Sequence, residues 1–208
     1  MSEKPDLEAA YSLRTPEDSR RLYADWAESY DSGFAEDMDY ALPGEVAAAF
    51  AGAGGEGPVL DLGAGTGLCG EALSTLGVAL IDGTDISPEM LAVARAKGVY
   101  TELFEGDLLD RLPVGDATYS GAVSTGTFTT GHVGPAALGE VLRILRPGGL
   151  AVISVNAEHW RAQGFDTALE ALSGGIASLE TREVRNYGPR GRGPHKDSLS
   201  RLLIIRRA

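Results

Sequence analysis

The stretch Asp61-Leu62-Gly63-Ala64-Gly65-Thr66-Gly67 limits what this chain can fold into more than any other. It follows Pro58-Val-Leu-Asp-Leu, a short apolar run that reads as a buried strand. Behind it Leu68, Ala72, Leu73 and Leu76 recur at helical spacing. Alternate glycines permit positive φ where a strand turns sharply into a helix, and they let the backbone come close to a ligand. The helix N-terminus beyond offers unpaired N–H groups and a partial positive charge. The spacing alone does not choose a ligand. Gly65-x-Gly67-x-x-Gly70 also satisfies the dinucleotide pattern, and a tight turn in any α/β fold would satisfy it too.

The rest of the chain alternates in the same way. Residues 1 to about 16 read as a flexible arm. Thr15 then reads as an N-cap with Pro16 at N1, opening a helix whose stripe is Leu22, Trp26 and Tyr30, widened by Tyr23 and Ala27. A short helix is expected over Gly44–Phe50, with the glycine-rich residues 51–57 as a hinge. Strands are expected at 78–85, 99–104, 119–124 and 150–156, and helices at 87–97, 135–145 and 165–172. Two closing strands, 179–187 and 199–206, read as a hairpin. The predicted fold is α/β: a doubly wound, Rossmann-like, seven-stranded sheet, mostly parallel with one antiparallel edge strand, plus an N-terminal helical cap. Residues 1–50 would be arm and cap and 51–208 the core of what is one domain overall.

Composition excludes several classes. The net charge of −12 disfavours nucleic acid, whose binding relies on neutralising phosphates. The charge is uneven: residues 182–208 hold eight Lys/Arg against two Asp/Glu. That segment reads either as a solvated hairpin or as a rim attracting an anionic acceptor. No run of ~18 apolar residues suggests a membrane span. The polar, acidic start is unlike a targeting peptide, so a cytoplasmic location is expected. With one cysteine, Cys69, and no HExxH or Cys/His cluster, no metal site is expected.

Three acids narrow the ligand. Asp61 ends the first strand, where a carboxylate suits a cationic group and opposes a pyrophosphate. Asp85 ends the second strand 20 residues after Gly65, placed to accept ribose hydroxyls. Asp107, in Gly106-Asp107-Leu108, follows the third strand, placed to accept from an adenine amine. Such sheets bind ligands at the carboxyl ends of their strands. Acids for an ammonium, a ribose and an adenine describe S-adenosylmethionine.

These motifs resemble those of the class I S-adenosylmethionine-dependent methyltransferases. Val59-Leu-Asp-Leu-Gly-Ala-Gly-Thr-Gly67 resembles their first motif and Asp82-Gly-Thr-Asp85-Ile-Ser-Pro-Glu-Met-Leu91 the second. Glu105-Gly-Asp-Leu108 resembles the third, and Leu145-Arg-Pro-Gly-Gly149 the turn before the fifth strand. More narrowly, Tyr23-Ala-Asp-Trp26-Ala-Glu-Ser-Tyr30-Asp31 and Thr125-Gly-Thr-Phe-Thr-Thr-Gly-His-Val133 resemble the methyltransferase-like proteins of the Williams–Beuren-region family. The resemblance implies a small-molecule acceptor and the product S-adenosylhomocysteine. It implies that Gly63, Ala64, Gly65 and Gly67 line the methionine part, with Asp61 holding the loop or the ammonium. Asp85 would hold the ribose, Ile86 and Met90 would pack on the adenine, and Asp107 and Leu108 would bond its edge. Ser124 and Thr125 would sit by the methionine, and Trp26 and Tyr30 would close over the cofactor. The Asp/Asn-Pro-Pro-Tyr/Phe signature of amide and nucleobase methylation is absent: Ser124-Thr125-Gly126-Thr127 stands there.

Methyl transfer from a sulfonium is favourable, so alignment supplies much of the rate; positioning is worth roughly 7–11 kcal/mol. A hydroxyl or carbon acid also needs a base, and His132 is the first candidate, ahead of His159 and His195. Asn156, Trp160 and Phe165 read as pocket wall or as core. The competing readings are a silent cofactor-binding adaptor and an NAD-dependent oxidoreductase.

Overall fold

The computed structural model describes residues 7–208. The first part of the expected arm, residues 1–6, lies outside the described residues. The next part is not an arm: Leu7–Tyr11 forms a short helix, α1, that buries Ala10.

Helix α2, Pro16–Trp26, starts as its sequence requires. Thr15 Oγ1 accepts from the Asp18 amide at 3.1 Å, and the Asp18 carboxylate accepts from the Thr15 amide at 3.2 Å. This reciprocal pairing satisfies two donors that a helix start leaves open. The α-helix ends at Trp26, earlier than its apolar stripe suggests. A 3-10 turn over Ala27–Ser29 and a π-helical turn over Tyr30–Ala35 carry the chain on.

Helix α3, Leu42–Gly52, lies on the sheet and shares a core with it. Leu42, Val46 and Phe50 pack with Val59, Val123 and Leu150. Phe50 is fully buried because Gly121 makes room for it; a Cβ at Gly121 would lie 2.4 Å from the ring. That position tolerates no side chain while Phe50 stays.

Among the described residues the strands are β1 Val59–Leu62, β2 Ile81–Asp85, β3 Glu102–Glu105, β4 Tyr119–Phe128, β5 Leu145–Asn156, β6 Ile176–Arg185 and β7 Leu199–Arg207. They form one seven-stranded sheet in the order β3-β2-β1-β4-β5-β7-β6. Strands β1 to β5 pair in parallel, and β7 pairs antiparallel with both β5 and β6. The antiparallel strand is thus β7, inserted just inside the edge strand β6. All of β1 is buried, as expected for a central strand covered on both faces. Helices α4, Leu68–Thr75, α5, Pro88–Ala96, and α6, Leu138–Ile144, join the parallel strands. The strand order reverses between β1 and β4, and the crevice beyond their carboxyl ends is where such sheets take ligands.

Several boundaries differ from the sequence expectation: α3, β2, β5 and β6 begin elsewhere than expected, and three further differences have a local reason. Strand β4 runs on to Phe128 because residues 125–127 bulge; Gly126, at φ +75°, donates its amide to Ser154 Oγ at 3.1 Å. Strand β3 begins at Glu102 rather than 99, because Tyr100 turns inward to bond Asp61 at 2.7 Å. A helix that the pattern did not reveal, α7 over Ala157–Gln163, is capped by Asn156, whose Oδ1 accepts from Glu158 and His159 amides at 3.0 and 3.1 Å. It stops at Gly164, φ +71°, and α8, Phe165–Ala171, follows. Trp160 and Phe165 stack at 5.4 Å within the core, so their reading as pocket wall is corrected. No described helix is long and apolar enough to cross a membrane.

Candidate functional site

The turn after β1 takes the conformation that its glycines allow. Gly63, Gly65 and Gly67 stand at φ +70°, +54° and +90°, in the left-handed region that favours glycine. The amides of Gly63 and Ala64 donate to the Thr84 carbonyl at 2.8 and 2.9 Å. The Gly65 amide donates to Asp85 Oδ2 at 2.8 Å, while Asp85 Oδ1 accepts from the Ser87 amide at 2.9 Å. One carboxylate thus ties the turn after β1 to the turn after β2. Burial pushes the Asp85 carboxyl up, and the backbone amides oppose that shift.

These turns floor a cavity of about 180 Å³. Gly63, Ala64, Gly65, Asp85, Ile86 and Met90 line one part of it, and Asp107 and Leu108 continue that wall. Tyr30, Thr125 and His132 face it from the cap and from the loop after β4. Thr125 Oγ1 is buried, faced by the Cys69 thiol and with no partner of normal geometry among the described residues.

Four expected residues stand behind the cavity instead of on its wall. Asp61 is 1% exposed and accepts from the Tyr100 hydroxyl at 2.7 Å; its Oδ1 has no partner of normal geometry among the described residues. Burial pushes this carboxyl up to about 7, against the Tyr100 hydrogen bond. Of the two roles expected for Asp61, the position fits holding the loop and not touching an ammonium. Ser124 donates to the Leu62 carbonyl at 2.7 Å and is fully buried. Gly67 faces away, where a Cβ would meet the Tyr100 ring at 2.9 Å. Trp26 packs inside the cap, 5.1 Å from Tyr30 and 5.3 Å from Phe34 between ring centroids.

The cap is fastened to the glycine turn. Thr66, between Gly65 and Gly67, donates its hydroxyl to Asp31 Oδ1 at 2.5 Å. Lys97 bridges Asp31 at 2.9 Å and Glu71 at 2.7 Å. Asp31 lies in the π-helical turn, so the segment over the cavity is latched to the loop beneath it. Asp31→Ala is expected to weaken ligand binding about tenfold, a loss of ~1.4 kcal/mol. Faster amide exchange over residues 7–40 should accompany it, and unchanged exchange would show that the latch holds nothing.

His132 Nδ1 lies 3.0 Å from the Thr130 carbonyl, which only accepts, so Nδ1 carries the proton. Nε2 then accepts from the Tyr23 hydroxyl at 2.8 Å. Burial pushes the imidazole below its usual value, so it is neutral near pH 7. His159 donates from Nε2 to the Val133 carbonyl at 2.9 Å and anchors the far end of the same loop. His195 stacks edge-on against Tyr11 at 5.3 Å, away from the cavity lining.

A side chamber of about 50 Å³ adjoins the cavity, sharing Tyr23, Tyr30, Tyr40, Gly126 and His132 with its lining. Phe34, Trp26 and Tyr187 wall the chamber. Asn156 and Asn186 also line it, and Asn186 Oδ1 is buried with no partner among the described residues. Sequence reading placed Tyr23 in an apolar stripe and in the Tyr23–Asp31 motif without giving it a role, and assigned nothing to Tyr40, Thr66 or Tyr100. Thr66 alone had a signal, lying within the glycine motif; the others are brought in by tertiary packing.

Residues 59–149 match the family model for a methyltransferase domain. The chain is 29% identical over 177 residues to methyltransferase-like protein 27 of Homo sapiens, covering 79% of this chain and 68% of that one. Over 100 residues it is 37% identical to the demethylmenaquinone methyltransferase of Chlorobaculum parvum, covering 47% of this chain and 40% of that enzyme. The fold is shared with the 1,6-didemethyltoxoflavin-N1-methyltransferase of Burkholderia thailandensis, solved with 1,6-didemethyltoxoflavin and S-adenosylhomocysteine. That likeness has a TM-score of 0.64 at 21% identity, over 94% of this chain and 92% of the other. With its glycine turn, sheet order and matched domain, the chain is similar to the class I S-adenosylmethionine-dependent methyltransferases.

Proposed function

We propose that this protein transfers the methyl group of S-adenosylmethionine to a small-molecule acceptor. The cavity carries the proposal: an acidic, partly apolar chamber that begins at the glycine turn and is roofed by its own N-terminal segment. A roof latched at Asp31 favours a small acceptor, since a macromolecule would have to insert a side chain or a base beneath it. The names of one relative and one structural neighbour, which refer to demethylmenaquinone and to 1,6-didemethyltoxoflavin, agree with a ring-containing acceptor.

The residues fit the cofactor. Asp85 would accept from the ribose, Ile86 and Met90 would flank the adenine, and Asp107 with the Leu108 backbone would bond its edge. The amides and carbonyls of Gly63, Ala64 and Gly65 would hold the methionine part, with Tyr30 above it. Thr125 Oγ1, buried and without a partner of normal geometry, would find one there. Asp61, Ser124, Gly67 and Trp26 would act from behind, fixing the loop and the roof. The bound sulfonium supplies an activated methyl group; the protein aligns a nucleophile behind it and excludes water. A dinucleotide fits less well, because the Gly65 amide that would face a pyrophosphate is bonded to the Asp85 carboxylate.

Incubation of the protein with methyl-labelled cofactor and a fractionated cell extract tests the acceptor class. Label is expected in the low-mass fraction. Label confined to protein or nucleic acid would overturn the small-molecule reading while leaving the cofactor assignment standing.

A further inference from the structure

We propose that Tyr23 and His132 form a proton-accepting pair for a phenolic acceptor, with Tyr23 the residue that touches the substrate. This rests on the methyltransferase reading above and adds the acceptor class to it. Both residues line both the cofactor cavity and the side chamber, so the pair stands where the two meet. His132 has one basic nitrogen, Nε2, because Nδ1 is committed to the Thr130 carbonyl. Tyr23 covers that nitrogen at 2.8 Å. A direct role for His132 on substrate, as the sequence suggested, is therefore blocked; the Tyr23 oxygen is the group presented to a ligand. Burial of Tyr23 raises its hydroxyl, with the Asp85 and Tyr11 charges adding to that, so it remains a phenol until a proton moves.

The surroundings select the acceptor. A carboxylate needs no base, and no Lys or Arg among the described residues lines the side chamber to balance its charge, Arg14 standing on the cofactor cavity instead. The walls are aromatic, with the Phe34 ring centroid 5.0 Å from that of Tyr30 and 5.5 Å from that of Tyr40. Flat rings are retained by such walls through offset and edge contacts. A phenol ionises near pH 10, well above the His132 imidazole, so its proton leaves only as the new bond to the methyl carbon forms, relayed through the Tyr23 oxygen. In the step, the acceptor oxygen forms a bond to the methyl carbon as the carbon–sulfur bond breaks, leaving a neutral thioether. The acceptor's proton moves to the Tyr23 oxygen while the Tyr23 proton moves to His132 Nε2. The imidazolium formed releases that proton to solvent after the product leaves, restoring the pair.

The test uses the full chain with nitrogen-15 in its histidines, loaded with S-adenosylhomocysteine. Calorimetry first reads the loading itself; if neither wild type nor Tyr23→Phe takes up S-adenosylhomocysteine, the methyltransferase reading fails and this proposal falls with it. Phenol is then titrated, with toluene and benzoate as controls. The His132 Nε2 resonance is expected to move saturably with phenol and to stay in place with toluene and benzoate. In Tyr23→Phe the phenol response should weaken at least about tenfold while loading is unchanged. With methyl-labelled donor, saturating phenol should give labelled anisole, about 10²-fold more slowly in Tyr23→Phe at similar KM. No saturable movement, an equal response to toluene or benzoate, an unchanged response in Tyr23→Phe, or no labelled anisole would each overturn the proposal.

Discussion

Asp85→Ala is expected to weaken S-adenosylmethionine binding at least about 100-fold, because the carboxylate has two duties in one place. It accepts the Gly65 amide at 2.8 Å and the Ser87 amide at 2.9 Å, fixing both turns that floor the cavity. Hydrogen bonds to a charged group contribute about 1.5–3 kcal/mol each, and the ribose would add its own. Removing the side chain loosens the cradle and deletes the ligand contact together. Asp85→Asn separates the two, since its single acceptor oxygen keeps one amide bond and loses the other. Its binding should fall between wild type and the alanine variant. Calorimetric dissociation constants check this; an alanine variant within threefold of wild type would remove Asp85 from the site.

The second large effect is one of stability against pH, and it belongs to Asp61. Its carboxyl is buried and pushed up to about 7, while the unfolded chain leaves it near the ordinary carboxylate value. Below pH ~4 both states hold the proton and the group costs nothing. Between about 4 and 7 the unfolded state loses its proton and the folded state keeps it, so stability falls as pH rises. Each pH unit in that window removes up to about 1.4 kcal/mol through this group. Above pH 7 the penalty levels off, on the order of a few kcal/mol. Asp61→Asn keeps an oxygen for the Tyr100 hydroxyl and has no charge to bury. It should match wild type at pH 4 and exceed it by a few kcal/mol at pH 8 in denaturant melts. Parallel curves for the two proteins would mean that Asp61 is not desolvated as described.

Both effects start from residues that the sequence singled out, but the sequence separated their duties poorly. Asp61 and Asp85 stand at the ends of adjacent strands, which alternation and the glycine spacing made plain. Which of them faces the cavity depends on Tyr100, thirty-nine residues from Asp61 in the chain and drawn to it at 2.7 Å. No periodicity reveals such a partner. The helical cap shows the same limit: the Leu22, Trp26 and Tyr30 stripe located it, while its change to a π-helical turn at Tyr30, where Asp31 latches to Thr66 and Lys97, left no mark in the pattern. Strand β7 was legible as the second strand of a closing hairpin, but not its insertion between β5 and β6, because pairing order is a property of the sheet. His132 was legible as a loop histidine in a glycine-rich segment, whereas Tyr23 looked like one more apolar position. Local pattern marks what lies on an element; it does not say what the opposite element brings.

The glycine turn and the acids around it are the centre of the account, and one titration tests them most directly. The full chain is titrated calorimetrically with S-adenosylmethionine, S-adenosylhomocysteine and NAD under the same conditions. The account predicts saturable heat at a single site for both adenosyl ligands and none for NAD. Binding of NAD in preference, or no binding of either adenosyl ligand, would contradict it.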